Sequence, residues 1–272
     1  MVRLYAHRGA AAERPENTLP AFRRALELGA DALETDAWRT RDGHVVVSHD
    51  PTGRRMAGVA RAIGRCTLDE VRSWDAGWGF VDREGRRPFA GQGIRVPSLE
   101  EMLAEFPGVP INVDVKQPGP DMAAAILACV RRQRASERVL LASFSSLTLW
   151  RLRRLGWEGS MGLGRSEVAR LALLPTLLLR LAPPRGRRAQ VPPRALGFEL
   201  ASTAFIGKCH SLGLRVDFWT VNDPQEARRL ASLGADGVMT DDPGAVAPAL
   251  GKGPLGKVGT GVPPREGPSS LA

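Results

Sequence analysis

Short apolar segments alternate with amphipathic segments along most of the 272 residues, and this alternation predicts a repeated strand–helix unit. Eight strands of one main sheet are predicted, starting at Leu4, Asp31, Ile111, Val139, Ser160, Ala195, Leu214 and Gly237. Most of these strands are followed by a segment with helical periodicity. Eight such units predict an α/β fold, a (β/α)8 TIM barrel, in which functional residues lie at the carboxyl ends of the strands.

Carboxylates recur at the ends of two of the predicted strands. Glu34 and Asp36 are two residues apart, so their side chains point to the same side of a strand. Two such acids repel each other in a half-buried strand unless a cation lies between them. Asp114 can complete a three-carboxylate metal site, and Lys116 on the same strand face can bind a phosphate oxygen. The alternatives are surface ion pairs for the first two acids and a mutual Asp114–Lys116 pair.

Two of the four histidines, His7 and His49, are predicted to lie beside these acids. His7 ends the first strand. Residues 41–43 (Arg-Asp-Gly) predict a hairpin turn and residues 45–47 its returning strand. For a turn centred there, the numbers of paired residues sum to about 85, which places His49 opposite Asp36. Two imidazoles next to a cation site are suited to acid–base cleavage of a phosphodiester, whereas the alternative is that both histidines are incidental.

The balance of charge is basic, with 38 Lys and Arg against 29 Asp and Glu and a formal net charge of +9. A basic surface attracts phosphate esters, anionic lipid headgroups or nucleic acid. No base-reading motif and no basic stripe interleaved with aromatic residues is present, so no nucleic-acid partner is expected. No sequence signal fixes an oligomeric state.

Cysteine usage and the amino terminus predict a cytoplasmic protein. The three cysteines, Cys66, Cys129 and Cys209, are widely spaced, which disfavours a disulfide framework and a zinc site. A predicted strand and its His lie within seven residues of Met1, so no signal peptide is expected. No segment approaches the ~20 apolar residues of a transmembrane helix.

The barrel is predicted to occupy residues 1–250, with a hairpin and loop insertion after the second strand. Within this insertion, residues 51–97, the aromatic side chains Trp78, Phe80 and Phe89 form either a lid over the site or a separate surface cluster. Residues 251–272 are rich in Gly, Pro and Ser, and they are predicted to be a disordered tail.

Residues 165–188 are nearly uniformly apolar and then basic. They are too short to span a bilayer. One interpretation is a helix that rests on a membrane surface, with arginines on anionic headgroups: Arg180, Arg185, Arg187 and Arg188. The favoured interpretation is a buried crossover helix followed by a solvated basic loop, because buried helices are also apolar on all sides.

Taken together, the motifs AHRG, PENT, LETD, SHDP, NVDVK and WTVND resemble those of the glycerophosphodiester phosphodiesterase family. The resemblance extends from Leu4 to Pro243. Each motif is weak by itself, but the combination is highly specific. The resemblance implies a TIM barrel that hydrolyses glycerophosphodiesters to sn-glycerol 3-phosphate and an alcohol.

The resemblance also implies residue roles. It makes His7 and His49 the acid–base pair. It implies a divalent cation, Ca²⁺ or Mg²⁺, bound by Glu34, Asp36 and Asp114. It places at the phosphate or substrate Arg8, Lys116, Asn17 and Trp219. The third acid of the family is usually Glu, and the shorter Asp114 makes the metal preference uncertain.

Two alternative functions remain open. One is a lysophospholipase D, which would use a lysolipid as substrate, or a sphingomyelinase-D-like phosphodiesterase of related fold. Its support is the apolar segment, residues 165–188. A non-catalytic barrel that binds a phosphoester or a partner protein is favoured by Asp114, whereas the pair of histidines argues against it.

Overall fold

The structure, a computed structural model, describes residues 1–195 and 197–253. Its strands are β1 Arg3–His7, β2 Ala32–Arg39, β3 Val45–Val47, β4 Ile111–Val115, β5 Val139–Ala142, β6 Ser160–Met161, β7 Arg188–Val191, β8 Arg194–Ala195, β9 Phe198–Glu199, β10 Arg215–Phe218 and β11 Gly237–Thr240. Its α-helices are α1 Leu19–Glu27, α2 Arg54–Ala57, α3 Leu68–Arg72, α4 Leu99–Glu105, α5 Pro120–Arg132, α6 Ser146–Arg154, α7 Arg165–Leu173, α8 Thr176–Leu181, α9 Thr203–Ser211, α10 Pro224–Ser232 and α11 Pro243–Ala249.

Eight parallel strands form a ring in the order β6-β5-β4-β2-β1-β11-β10-β7. A parallel bridge between Gly162 and Arg188 joins the two end strands and closes the ring. Helices follow most of these strands, so the predicted TIM barrel is confirmed. Seven of the eight predicted strands are present, each starting within one residue of its predicted position. No helix among the described residues has the length and apolar character needed to cross a membrane.

Strand alternation separates the core from the site. Leu33 of β2 and Val113 of β4 point outward and belong to one buried apolar cluster with Phe22 of α1 and Ile126 of α5. The residues that alternate with them, including Glu34, therefore point into the barrel. The helices cover the outer face, and the inner face is left for polar groups at the strand ends.

The predicted strand at residues 195–200 is wrong. The strand at this place in the ring is β7, whereas β8 and β9 pair with each other as a separate antiparallel hairpin. Arg188 of β7 is buried and donates to the Asp217 carboxylate of β10 over 2.5 Å. The sequence around Arg188 resembles a solvated basic loop, because a charge paired inside a barrel cannot be recognised without its partner.

The favoured interpretation of residues 165–188 as a buried crossover helix is also wrong. The segment forms α7 and α8, in which the only fully buried side chains are Leu171 and Leu179. The remaining leucines are partly or largely exposed. The surface-helix interpretation fails for one residue, since Arg188 lies in the barrel wall and not among headgroups.

The hairpin after the second barrel strand is present with a register one residue from the prediction. Ala37 pairs with Val47, so paired residue numbers sum to 84, and the Ser48 amide donates to the Asp36 carbonyl over 2.9 Å. His49 follows directly and still reaches the end of the barrel.

The insertion, residues 51–97, packs around its own apolar cluster, which includes Met56, Ile63 and Trp74. Phe80 and Phe89 pack edge to face at 5.1 Å. The side chains that line the site cavity described below all come from outside the insertion. The lid stays a prediction, and most of the predicted disordered tail, residues 254–272, lies outside the described residues.

Candidate active site

A cavity of about 750 Å³ opens at the carboxyl ends of the barrel strands. The predicted site residues that line it are His7, Arg8, Glu34, Asp36, His49, Asp114, Lys116 and Trp219. The structure therefore brings together all predicted site residues except Asn17. Apolar side chains also line the cavity, among them Phe144, Leu163, Val168, Val191 and Met239. The cavity thus combines a charged region, where the acids and histidines meet, with a wall that is mainly apolar.

His7 ends β1 and is held by an acid that directly follows the last strand of the barrel. Its Nδ1 lies 2.7 Å from Asp241 Oδ1, and its Nε2 lies 3.9 Å from Glu34 Oε2. Burial alone would lower the pKa of His7, but the charge of Glu34 and the hydrogen bond with Asp241 outweigh burial and raise it. Asn222 donates to the other Asp241 oxygen over 2.9 Å, which fixes the carboxylate.

His49 has a similar arrangement. Its Nδ1 lies 2.7 Å from Asp50 Oδ1, and Arg55 donates to the other Asp50 oxygen over 2.7 Å. Burial tends to raise the pKa of Asp50, but the hydrogen bonds from Arg55 and His49 lower it. In each pair an acid on Nδ1 favours the tautomer with the proton there, so Nε2 is left for a reacting group.

The turn after His7 depends on a left-handed backbone. Arg8 has φ of 58° and Gly9 has φ of 86°. A Cβ on Gly9 would lie 2.8 Å from the backbone of Ala21 in α1, so only glycine fits. This turn directs the Arg8 amide to the Glu34 carboxylate at 3.2 Å, and it places the Arg8 Nε 3.3 Å from Asp36 Oδ2.

Three carboxylates lie on neighbouring strands in direct register. Asp36 of β2 is paired with Asp114 of β4, and Glu34 is two residues before Asp36. All three are buried. Burial, followed by the charge of Asp36, raises the pKa of Glu34 to about 8. The pKa of Asp114 is also raised, by burial first, against the opposing effect of Lys116. Burial and mutual repulsion thus disfavour ionisation of all three acids together.

Lys116 lies between two of these acids. Its Nζ is 2.9 Å from Asp36 Oδ1 and 2.7 Å from Asp114 Oδ2. Burial opposes its charge, but the two carboxylates outweigh burial and raise the pKa of Lys116. The Asp114–Lys116 pair considered from the sequence is therefore present, and it is shared with Asp36.

The carboxylates fit a hard divalent cation by donor type. Asp114 Oδ1 is buried and has no hydrogen-bond partner, so it is an oxygen donor still to be satisfied. Buried carboxylate oxygens are the ligands that Ca²⁺ and Mg²⁺ prefer. No three His, Cys, Asp or Glu side chains among the described residues are already arranged as a metal cage. Binding through Glu34, Asp36 and Asp114 would therefore require Lys116 to release at least one acid.

Asn17 lies behind the cavity. It is buried with φ of 57°, donates to Asp36 Oδ2 over 3.1 Å and accepts from the Thr35 hydroxyl over 2.8 Å. Its contacts orient Asp36, and its side chain does not line the cavity.

The cavity mouth is aromatic and basic. Phe144 and Trp219 pack edge to face at 5.7 Å. Lys116 Nζ lies 5.5 Å from the centre of the Phe144 ring, and the Arg165 guanidinium lies 5.0 Å from it. Cations over an aromatic ring next to the acids can receive an anionic group that enters past Trp219.

No role was predicted from the sequence for Asp50, Phe144 or Asp241. Asp241 directly follows the last barrel strand, and β1 pairs with β11 in the ring. This position was a usable signal, since a barrel brings the ends of its first and last strands together. Asp50 directly follows His49 in the sequence, which was the corresponding signal for the second pair.

Comparison with known proteins shows the family of this chain and agrees with its fold. The profile of the “Glycerophosphoryl diester phosphodiesterase family” matches residues 7–245. A glycerophosphodiester phosphodiesterase of Caldanaerobacter subterraneus subsp. tengcongensis is 30% identical over 257 residues, 91% of this chain and 97% of the relative. A lysophospholipase D of Mus musculus is 29% identical over 274 residues, 92% of this chain and 82% of the relative. The crystal structure of a Silicibacter pomeroyi protein bearing the same family name has a TM-score of 0.77 at 30% identity, with 92% and 93% of the two chains covered. The chain belongs to the glycerophosphoryl diester phosphodiesterase family.

Proposed function

We propose that this protein hydrolyses glycerophosphodiesters to sn-glycerol 3-phosphate and an alcohol, with His7 and His49 exchanging the protons. The observation that carries the proposal is that two Asp-paired imidazoles line the same cavity as three buried acids and the cations Arg8 and Lys116. The family relatives described as glycerophosphodiester phosphodiesterases support the substrate class.

The proposed reaction uses one imidazole as base and the other as acid. One Nε2 accepts the proton of the attacking hydroxyl as its oxygen bonds to phosphorus, the P–O bond to the alcohol breaks, and the second imidazole donates a proton to the leaving oxygen. The attacking hydroxyl belongs either to water or to the free glycerol hydroxyl of the substrate. In the second case a cyclic phosphate forms first, and water then adds to phosphorus and breaks one ring P–O bond to give sn-glycerol 3-phosphate. Arg8 and Lys116 hold the phosphoryl oxygens through charge-assisted hydrogen bonds.

We further propose that Glu34, Asp36 and Asp114 hold Ca²⁺ or Mg²⁺. When bound, the cation would supply charge neutralisation at the phosphoryl group. Asn17 and Arg8 keep Asp36 in position, since both contact its Oδ2 atom. Two observations support the proposal: Asp114 Oδ1 is buried without a hydrogen-bond partner, and burial raises the pKa values of Glu34 and Asp114, so their ionised forms lack full compensation even with Lys116 in contact.

A second candidate substrate is a lysophospholipid, which is also a glycerophosphodiester. The observation that favours it is the apolar part of the cavity, which a water-soluble headgroup such as glycerophosphocholine does not fill. The mouse relative described as a lysophospholipase D supports the same substrate. In this case the acyl chain would lie along Val168 and Val191.

Product analysis tests the proposed function directly. We expect release of sn-glycerol 3-phosphate from glycerophosphocholine and glycerophosphoethanolamine, and of lysophosphatidic acid from lysophosphatidylcholine. Each substrate is assayed after chelation with Ca²⁺ or Mg²⁺ added back. A protein that binds these diesters without cleaving any of them would be the non-catalytic barrel and would contradict the proposal.

Asp241 is proposed as the residue that positions His7. Asp241→Asn is expected to lower kcat by about 10–10²-fold, the usual cost of removing a partner that orients a reactive group. Because the hydrogen bond with Asp241 raises the pKa of His7, the limb of the pH–rate profile that reports His7 should move to lower pH. The measurement is kcat against pH for the wild type and the variant.

The neighbouring Asp242 provides the control. It caps α11 by accepting from the Ala245 amide, and Asn can cap as well, so Asp242→Asn should leave both kcat and the pH profile unchanged. An Asp241→Asn protein with a lower kcat but an unshifted pH profile would mean that Asp241 acts on folding and not on His7.

A further inference from the structure

Exposed apolar side chains are concentrated beside the cavity. Eight of the twelve large apolar side chains that are exposed in the described residues lie between Phe144 and Leu181. We call the outer surface of α6, α7 and α8 the apolar face. Its most exposed members are Leu173, Leu177 and Leu181, at 61%, 71% and 79%. Such a concentration is unusual for a surface in water and marks an interaction site.

The three helices of the apolar face are tied to one another. The Ser146 and Ser166 hydroxyls lie 2.6 Å apart and join α6 to α7. Arg170 of α7 donates to the carbonyl of Ala182, directly after α8, over 2.7 Å. The exposed leucines are therefore held on packed helices and do not belong to a loose loop.

The charge around the apolar face is basic. No acidic residue occurs between Glu167 and Glu199. Glu167 itself accepts from the Gly164 amide over 3.1 Å and from the Arg185 amide over 2.8 Å. The exposed Arg165 and Arg180 have no ion pair with any residue that the structure describes. Exposed leucines on helices that also carry exposed arginines without an acidic partner complement the interface of a bilayer that contains anionic lipids.

The apolar face is continuous with the cavity. Val168 and Ala169 on one side of α7 line the cavity, while Leu173 at the end of the same helix is exposed. Phe144 lies at the cavity mouth and is itself 43% exposed. An apolar path thus connects the outer surface to the site.

We propose that the apolar face docks on a membrane surface containing anionic lipids, and that diesters carrying an acyl chain enter the cavity from there. The docking is inferred from the exposed apolar face alone, whereas the entry of a lipid into the cavity rests on the proposed function. Leu177 and Leu181, four residues apart on one side of α8, would enter the headgroup region while Arg180 contacts lipid phosphates.

Vesicle flotation tests the docking. The wild type should float with vesicles of equal parts phosphatidylcholine and phosphatidylglycerol, and it should float less with phosphatidylcholine alone or at high salt. Leu177→Glu should weaken partitioning by about tenfold or more, because an apolar contact is replaced by a charge that anionic lipid repels. Val81→Glu is the matched control, since Val81 is 49% exposed and lies in the insertion.

Turnover of glycerophosphocholine in solution is measured on the same three proteins and should be equal, because neither residue lines the cavity. Turnover of vesicle-bound lysophosphatidylcholine should fall only in Leu177→Glu. A wild type that cleaves glycerophosphocholine but does not float, or floats as well after Leu177→Glu, overturns the docking and leaves the proposed function intact. A wild type that floats but cleaves neither substrate contradicts the proposed function and leaves the docking.

Light scattering, which measures the oligomeric state, tests the alternative that a second copy of the chain covers the apolar face. A wild type that is a dimer, does not float, and becomes a monomer in Leu177→Glu would show that the apolar face is a subunit interface and would overturn the proposal. A protein that is a monomer without vesicles and floats with them agrees with it.

Discussion

His7→Ala and His49→Ala are each expected to lower kcat for glycerophosphocholine hydrolysis by about 10²–10⁴-fold, the usual contribution of one proton-transfer group. Each substitution removes the Nε2 that accepts or donates a proton and leaves its partner, Asp241 or Asp50, near the cavity. Folding should be intact, because both imidazoles border the cavity and fill no part of the apolar core. The measurements are kcat, KM and the melting temperature of each variant.

His210 is the matched control for these two variants. It forms a third His–Asp pair, with Nε2 2.8 Å from Asp236, but it lies on α9 away from the cavity. His210→Ala should retain wild-type kcat even if the loss of its pair lowers the melting temperature. Retention of most activity in His7→Ala or His49→Ala would reject the corresponding acid–base role.

Chelation of divalent cations is expected to lower kcat by about 10²-fold or more, since charge neutralisation by a cation stabilises the transition state by several kcal/mol. Glu34→Gln should cause a similar loss. Above about pH 8, where the metal-free Glu34 is ionised, the neutral amide also removes one buried like charge, so at that pH the metal-free variant is expected to melt at a higher temperature than the metal-free wild type.

The melting temperature provides a measurement of metal binding that is independent of activity. Ca²⁺ or Mg²⁺ should stabilise the wild type and should have little effect on Glu34→Gln, because a ligand stabilises only the state that binds it. Glu105→Gln, a change on the surface of α4 at a residue paired with Arg23, should behave as the wild type in both measurements. A chelated wild type with full activity would show that the proposed cation is not needed. A Glu34→Gln protein that still binds and uses metal normally would remove Glu34 from the site.

Local patterns account for much of what could be predicted about the site. Glu34 and Asp36 point to one side because side chains alternate along any strand, and the turn at Gly43 returns the chain whatever it packs against. The observed hairpin register differs by one residue from the predicted one, so that Ser48, and not His49, lies opposite Asp36. His49 nevertheless reached the cavity, since it lies beyond the end of the paired strand.

The pairing of His7 with Asp241, 234 residues away, was decided by the closure of the barrel. The position of β7 in the barrel could not be predicted from the sequence either. The charge of Arg188 can be buried inside a barrel only where Asp217 pairs with it. The exposure of Leu177 was also a tertiary outcome, since a leucine-rich segment has the same sequence whether its partner is the core or a membrane. The sequence by itself determined the periodicity of the strands and helices, the turns, and the orientation of Glu34 and Asp36 to one side of their strand. Each of these features depends on neighbours along the chain. Only the tertiary structure decided which distant charges meet and which apolar surface stays uncovered, because both depend on contacts between residues far apart in sequence.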